Sequence, residues 1–334
     1  MGVMLRDFIQ TDDGLIFASV SYAHPEDRYI AFLRYYPCST RGSRRGYCKV
    51  ASTSQSFTYL RRHHPEYLYS FRGTRLQAVP REHVGKVLRP RERLAQIVAG
   101  AEDALEAKVA RLAELFSRAV PLSRLGVTGS LLPRLHLPGS DIDLVVYGRR
   151  DHLRARRTLA ELLEEGAVQE LSPEEWRRAY EKRFPHEKTL SFSEFLWHER
   201  RKFHRASFQG TSFDLLLVRE NVIKRWDEES YTRLGIAELE CTVVDASLAF
   251  DYPARYRVSC EKSDVEEVVS YTHTYAGQAF EGERILARGW LEEVSSRRRS
   301  YLRLVVGTTR EAAGEYIKLL EPQGSSSLFI RERR

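Results

Sequence analysis

Residues 124–147 read RLGVTGSLLPRLHLPGSDIDLVVY. A short apolar strand pattern, Leu125 to Thr128, stops at Gly129-Ser130. Asp141-Ile142-Asp143 follows after a gap of about ten residues and leads into Leu144-Val145-Val146-Tyr147. Side chains alternate faces along a strand, so Asp141 and Asp143 point one way while Ile142 points into a core. Two carboxylates about 7 Å apart on one strand face repel each other unless a cation lies between them. Hard oxygen donors of this kind suit Mg²⁺. Downstream, Thr211 to Val218 is a second apolar strand with Asp214 as its only charge. A lone carboxylate in such a run is costly without a partner or a metal. Asp141 alone would fit an ordinary turn in PGSDID, but that reading leaves Asp143 and Asp214 unexplained.

The combination resembles the DNA polymerase beta superfamily of nucleotidyltransferases. Its pattern is Gly-Ser, about ten residues, acid-hydrophobic-acid, and a third acid on a later strand. Here these are Gly129, Ser130, Asp141, Asp143 and Asp214. The phrase LPGSDIDLVVYG looks like the small stand-alone and archaeal members. The resemblance covers about residues 100–225. It implies a catalytic and metal-binding role for Asp141, Asp143 and Asp214, and nucleotide binding at Gly129 and Ser130. It implies two Mg²⁺ ions and a nucleoside triphosphate as donor. The usual small, basic segment after Gly-Ser is replaced by Leu131-Leu132-Pro133-Arg134, which leaves Arg134 as the candidate phosphate ligand.

The 334 residues are enough for two or three domains. With 42% hydrophobic and 30% charged residues the chain reads as soluble and globular. No run reaches the 18 or so apolar residues of a membrane span, and Asp7, Asp12 and Asp13 argue against a signal peptide. Cys38, Cys48, Cys241 and Cys260 lack C-x-x-C spacing and point to a reduced, cytoplasmic protein, although Cys38 and Cys48 face each other across a possible hairpin. A zinc site joining them to His63 and His64 fits no ligand spacing. Nine lysines against 44 arginines, and a single asparagine, Asn221, fit a thermophile or a GC-rich genome.

The expected class is α+β: a central mixed nucleotidyltransferase sheet with helices, between β-rich modules. The expected domains are a basic β-rich module at 1–90, a catalytic domain at 91–233, and a β-barrel-like module with a terminal helix at 234–334. Residues 1–90 hold 14 Lys/Arg and 7 Asp/Glu, whereas the remainder holds 39 of each. The whole net charge of +7 therefore lies in the N-terminal quarter. Cations for phosphates and rings for bases make RNA the favoured acceptor. Its basic loop carries Arg41, Arg44 and Arg45. A protein hydroxyl, a small molecule, or an inactive fold used for nucleic-acid binding are the alternatives.

The pattern predicts one long helix over 91–120, a short helix after Ser130, and a helix over 151–165 capped by Asp151. Ser172 opens a capping box and a helix to about Phe184, and 193–202 forms another. Strands are expected near 203–208, 211–218, 236–249, 265–272, 284–292 and 301–306. Thr308 to Glu311 reads as a capping box starting the terminal helix, and 322–334 as a loose tail. Arg200, Arg201, Lys202 and Arg205 are read as a solvated helix face, with steering of a polyanion as the lesser reading.

Overall fold

The computed structural model describes residues 2–40, 42–223, 225–309 and 311–320. These form two compact units, Met1–Gln169 with Ala206–Glu228, and Glu170–Arg205 with Glu229–Arg334. No described helix is long and apolar enough to cross a membrane.

The first unit begins with strands β1 (Phe8–Thr11), β2 (Ile16–Ser19), β3 (Arg28–Pro37) and β4 (Tyr47–Lys49), then helix α1 (Thr53–His63). Strands β5 (Leu68–Phe71), β6 (Thr74–Pro80) and β7 (Val84–Leu88) complete a sheet ordered β5-β6-β3-β2-β1-β7, with β4 beside β3. Ile9, Leu15, Phe17, Leu33, Leu60 and Val79 form its core. The sequence pattern does not single out β5 to β7, because Gln77, Gly85 and Lys86 interrupt the apolar alternation. Gln77 is nonetheless buried, and its Oε1 accepts from the Leu33 backbone N–H at 2.9 Å. A polar side chain can replace an apolar one in a core when it satisfies such a group.

Two helices follow, α2 (Pro90–Ala99) and α3 (Ala104–Ser117), in place of the expected single helix. Both present apolar faces to one core, so the periodicity runs through the break. Gly100 ends the first, and the Asp103 carboxylate caps the second by accepting from the Leu105 and Glu106 N–H groups. Strands β8 (Leu125–Val127) and β9 (Ile142–Tyr147) lead to helix α4 (Arg149–Glu164). Gly148, not Asp151, is its N-cap, because the Gly148 N–H is spent on the Val218 carbonyl while its own carbonyl accepts from His152. Asp151 lies in the first turn, where its negative charge suits the helix dipole.

Helices α5 (Pro173–Arg183) and α6 (Phe192–Lys202) belong to the second unit, and both open with capping boxes, at Ser172 and Ser191. Strands β10 (Arg205–Phe208) and β11 (Thr211–Val218) complete the first unit's second sheet, ordered β10-β11-β9-β8. Its core joins Ile142, Leu144, Val146, Phe213 and Leu215 to residues of α2, α3 and α4.

The second unit carries β12 (Glu229–Leu248), β13 (Ala254–Cys260), β14 (Val265–Ser270), β15 (Arg284–Ser296), β16 (Ser300–Val306) and β17 (Tyr316–Leu319). Their order is β12-β13-β14-β16-β15-β17, and β12 also pairs with β15. The module is β-rich as expected, but no terminal helix forms among its described residues. Residues 316–319 pair antiparallel with β15, burying Ile317 and partly burying Tyr316. Gly314 sits at φ +70°, and the Glu315 carboxylate takes the Thr308 N–H and hydroxyl at 2.9 Å each. The apparent capping signal is thus satisfied by a loop. The tail at 322–334 lies outside the described residues.

The cysteines are also corrected. Cys38–Cys48 and Cys241–Cys260 are disulfides, and none of the four is free. The second pair occupies facing positions of the β12–β13 ladder, a closeness that sequence spacing cannot show. Cysteine usage therefore gives no support to a reducing compartment.

Candidate functional site

Strands β9 and β11 run parallel, and in their register Asp143 lies directly opposite Asp214. Adjacent strands are about 4.8 Å apart, so the two carboxylates share one face of the sheet as neighbours. Asp141 precedes β9 and is exposed; its Oδ1 accepts from the Ser212 hydroxyl at 2.8 Å. Ser212 lies two residues before Asp214 and therefore on the same face of β11. The three acids identified from sequence thus meet. Ser212 was missed, although the period of two along β11 marks it.

Gly129 lies two residues beyond β8 with φ +66°, a backbone shape that favours glycine. A β-carbon there would lie 2.9 Å from the Asp143 Cγ and would overlap its Oδ2. The preceding Thr128 N–H donates to the Asp143 carbonyl at 2.9 Å. Gly129 is needed here by the close approach of a carboxylate as well as by its turn.

Asp143 is half-buried and its carboxyl is pushed up to about 6. Burial is the largest cause, followed by the negative charges of Asp214 and Asp141; Arg6 and Arg34 pull it back down. The negative charges of the three acids therefore oppose one another across this face.

The expected helix after Ser130 does not form. Residues 129–134 are turns, with Arg134 N–H donating to the Leu131 carbonyl and Leu135 N–H to the Ser130 carbonyl. Leu131 enters the core of the second sheet, while Leu132 and Leu135 pack with Phe8, Ile16 and Tyr35 of the N-terminal sheet. A helix would not place these side chains in both cores. The turn is also held by polar contacts. Arg93, paired with Glu106 in the interior, donates to the Leu131 carbonyl at 3.1 Å, and Arg44 donates to the Leu135 carbonyl at 3.3 Å. Arg134 ion-pairs with Glu102 and donates to Gln96 at 3.3 Å, so its guanidinium is engaged away from the phosphate role.

The cations near the acids come from the N-terminal module instead. Besides Arg6 and Arg34, Arg44 approaches through Tyr35, whose hydroxyl is raised by burial and by Asp143 and lowered by Arg34 and Arg44. Nothing in the sequence links these residues to the acids, because they belong to β3 and to loops of the N-terminal module. The Arg44 loop is closed by the Cys38–Cys48 disulfide; Arg41 lies outside the described residues. That bond also removes the thiolates from any zinc site with His63 and His64. His64 instead meets Asp13 at 2.9 Å and Glu66 at 3.4 Å.

The basic cluster before β11 is paired within its own unit. Arg200 meets Glu170, Arg201 meets Glu283, and Lys202 is buried against Glu199 at 2.6 Å.

Comparison with known proteins agrees with this geometry. The nucleotidyltransferase domain family model matches residues 109–203, a span that holds Gly129, Ser130, Asp141 and Asp143 and ends before Asp214. An uncharacterized protein of Methanocaldococcus jannaschii is 41% identical over 339 residues, covering 96% of this chain and 99% of that protein. No solved structure matches the chain. The matched domain and the full-length likeness to that archaeal protein lead to one assignment: the chain belongs to the nucleotidyltransferase superfamily.

Proposed function

We propose that this protein is a Mg²⁺-dependent nucleotidyltransferase that moves a nucleoside monophosphate from a nucleoside triphosphate to an acceptor hydroxyl on RNA. The observation that carries the reading is the register of Asp143 against Asp214, beside a glycine whose β-carbon would overlap the Asp143 carboxylate. The donor set fits the metal: three carboxylates, one of them raised by burial and by the other two, supply hard oxygens on one face. Asp141, Asp143 and Asp214 would hold two Mg²⁺ ions, which when bound neutralise the triphosphate and acidify the acceptor hydroxyl. Ser212 orients Asp141 through its hydrogen bond. Gly129 leaves room for the reacting phosphates, and Ser130 offers a hydroxyl donor at the start of the turn. In the reaction the acceptor oxygen bonds to the α-phosphorus as the bond to pyrophosphate breaks, and the hydroxyl proton is released.

In this reading residues 91–233 carry the transfer, 1–90 grip the acceptor, and the C-terminal β-rich module, which we read as barrel-like, has no assigned part. The test is incubation with each α-labelled nucleoside triphosphate, total RNA and cell lysate. Label on RNA that is absent with Asp143→Asn is the expected result. Label on protein or on a small molecule would replace the acceptor. Triphosphate binding without label on anything would point to an inactive fold used for binding.

A further inference from the structure

We propose that the N-terminal module completes the acid site, with Arg6, Arg34 and Arg44 forming the triphosphate-binding clamp that the segment after Gly129-Ser130 lacks. The inference rests on the nucleotidyl-transfer reading of that site. Any triphosphate brought to three carboxylates adds negative charge and needs cations beyond a metal to hold its outer oxygens. The segment after Ser130 cannot supply them: Leu131 and Leu132 are core residues, and Arg134 is engaged by Glu102 and Gln96.

Three arginines of the N-terminal module, Arg34 on β3 and Arg6 and Arg44 in its loops, are the candidates for such cations. Residue 6 is fixed against the end of β8 by the Thr128 hydroxyl, which donates to the Arg6 carbonyl at 3.1 Å. Thr128 is in turn tied to Asp143 and precedes Gly129. Arg34 lies on β3 beside Tyr35, whose ring packs against Leu132 and Leu135. Arg34 is half-buried and makes no side-chain hydrogen bond or ion pair among the described residues, so its guanidinium donors are uncommitted. Arg44 donates to the Leu135 carbonyl and to the Tyr35 hydroxyl, two uses of a group with five donors. The charges of Arg6 and Arg34 are felt at Asp143. The apolar residues that replace the basic segment thus have a purpose: Leu132 and Leu135 dock the N-terminal sheet and carry its arginines to the site.

Inorganic tripolyphosphate in Mg²⁺ is the probe, because it carries the phosphate chain without a base or sugar. Its affinity is measured by calorimetry for the full chain and for Arg34→Gln and Arg6→Gln. Each change should weaken binding by about tenfold, the worth of a charge-assisted hydrogen bond to phosphate. Binding of Mn²⁺ alone should hold steady or tighten, because a cation opposing it has been removed. Affinity for tripolyphosphate within twofold of the unaltered protein in both variants overturns the clamp, as does an unaltered protein that fails to bind it. An equal fall in Mn²⁺ and tripolyphosphate affinity also overturns it, since the arginines would then only be shaping the acids. If Arg34→Gln does not fold, Arg34→Lys serves: it keeps the charge, loses the planar fork, and should weaken binding by about threefold, with no weakening counting against the clamp. Label transfer abolished by Asp143→Asn but undiminished at low triphosphate in Arg34→Gln sinks the clamp and leaves the transferase. Tripolyphosphate binding lost in Arg34→Gln, with no transfer by the unaltered protein, does the reverse.

Discussion

The α-carbon of Gly129 lies against the carboxylate of Asp143, so that a β-carbon would stand 2.9 Å from its Cγ and overlap Oδ2. Gly129→Ala must therefore turn the Asp143 carboxylate away from its place beside Asp214 or move the turn. The positive φ adds about 1–2 kcal/mol of backbone cost for any L-residue. The variant is expected to melt at a lower temperature and to lose Mn²⁺ affinity by at least tenfold. Unchanged metal affinity would mean that the Asp143 position is not critical for the site.

Asp143 gives a pH signature in the metal-free protein. Its carboxyl is raised to about 6 in the folded state, against about 3.9 unfolded. The folded protein thus holds the proton more tightly. The associated stability is fully present below about pH 4 and is lost as pH rises through about 6. After allowance for solvent access, the loss is about 1–2 kcal/mol. Asp143→Asn lacks this loss, so in EDTA it should be the more stable protein at pH 7 and not at pH 4. Asp7, buried and raised to about 7, titrates nearby in both proteins and cancels in the difference. Parallel urea-denaturation curves for the two proteins across pH 4–7 would remove the repulsion argument. Saturating Mg²⁺ should reverse the order at pH 7.

Ser212→Ala removes the hydroxyl that holds Asp141. Asp141 is exposed, so the fold should be untouched, within about 0.5 kcal/mol. A carboxylate freed to rotate is a poorer ligand, and transfer is expected to fall by about three- to tenfold, with a larger effect at limiting Mg²⁺. A metal-independent drop of the same size would assign Ser212 to contact with substrate.

The disulfides are checked by thiol titration in denaturant, which should give none before reduction and four after it. Replacing Cys38 and Cys48 by Ser frees the ten-residue separation they close and should cost about 2–3 kcal/mol. It should also loosen Arg44 and weaken tripolyphosphate binding. Full thiol reactivity of the unreduced protein would refute both bonds.

The acid site was legible because its signals are local. Asp141 and Asp143 follow strand periodicity, and Asp214 is a lone charge on an apolar strand, so each stands out within a few residues of its own neighbours. Capping chemistry was legible where both partners are adjacent, as at Ser172 and Glu175. It misled at Thr308, where a satisfying carboxylate comes from Glu315 and a left-handed glycine prevents the helix. The long helix was misread because both halves face one core and only Gly100 and Asp103 mark the break. What the chain order cannot reveal is which distant elements meet. Tyr35 reaches the segment after Ser130 because Leu132 and Leu135 bury themselves against another sheet. The disulfide at Cys241 and Cys260 depends on strand register in the same way.

The acceptor is tested last, and the packing dictates how. Phe8, Ile16 and Tyr35 share a cluster with Leu132 and Leu135, so removing residues 1–90 would expose that surface and disturb the turn after Ser130. Point substitutions are the cleaner route. Arg61 and Arg62 are exposed in the last turn of α1, near Tyr59, which stacks on Tyr36 with ring centroids 4.2 Å apart. This is the mixture of cations and rings that single-stranded RNA uses. Log affinity for RNA should fall with log salt by about 0.7 per phosphate neutralised, so replacing both arginines by Ala should flatten the slope by about 1.4. Their exposure leaves stability within about 0.5 kcal/mol and tripolyphosphate binding unchanged, which separates this surface from the clamp. A slope that does not change removes α1 from the RNA path. A flat slope in the unaltered protein removes RNA as acceptor and moves a protein or small-molecule hydroxyl ahead of it.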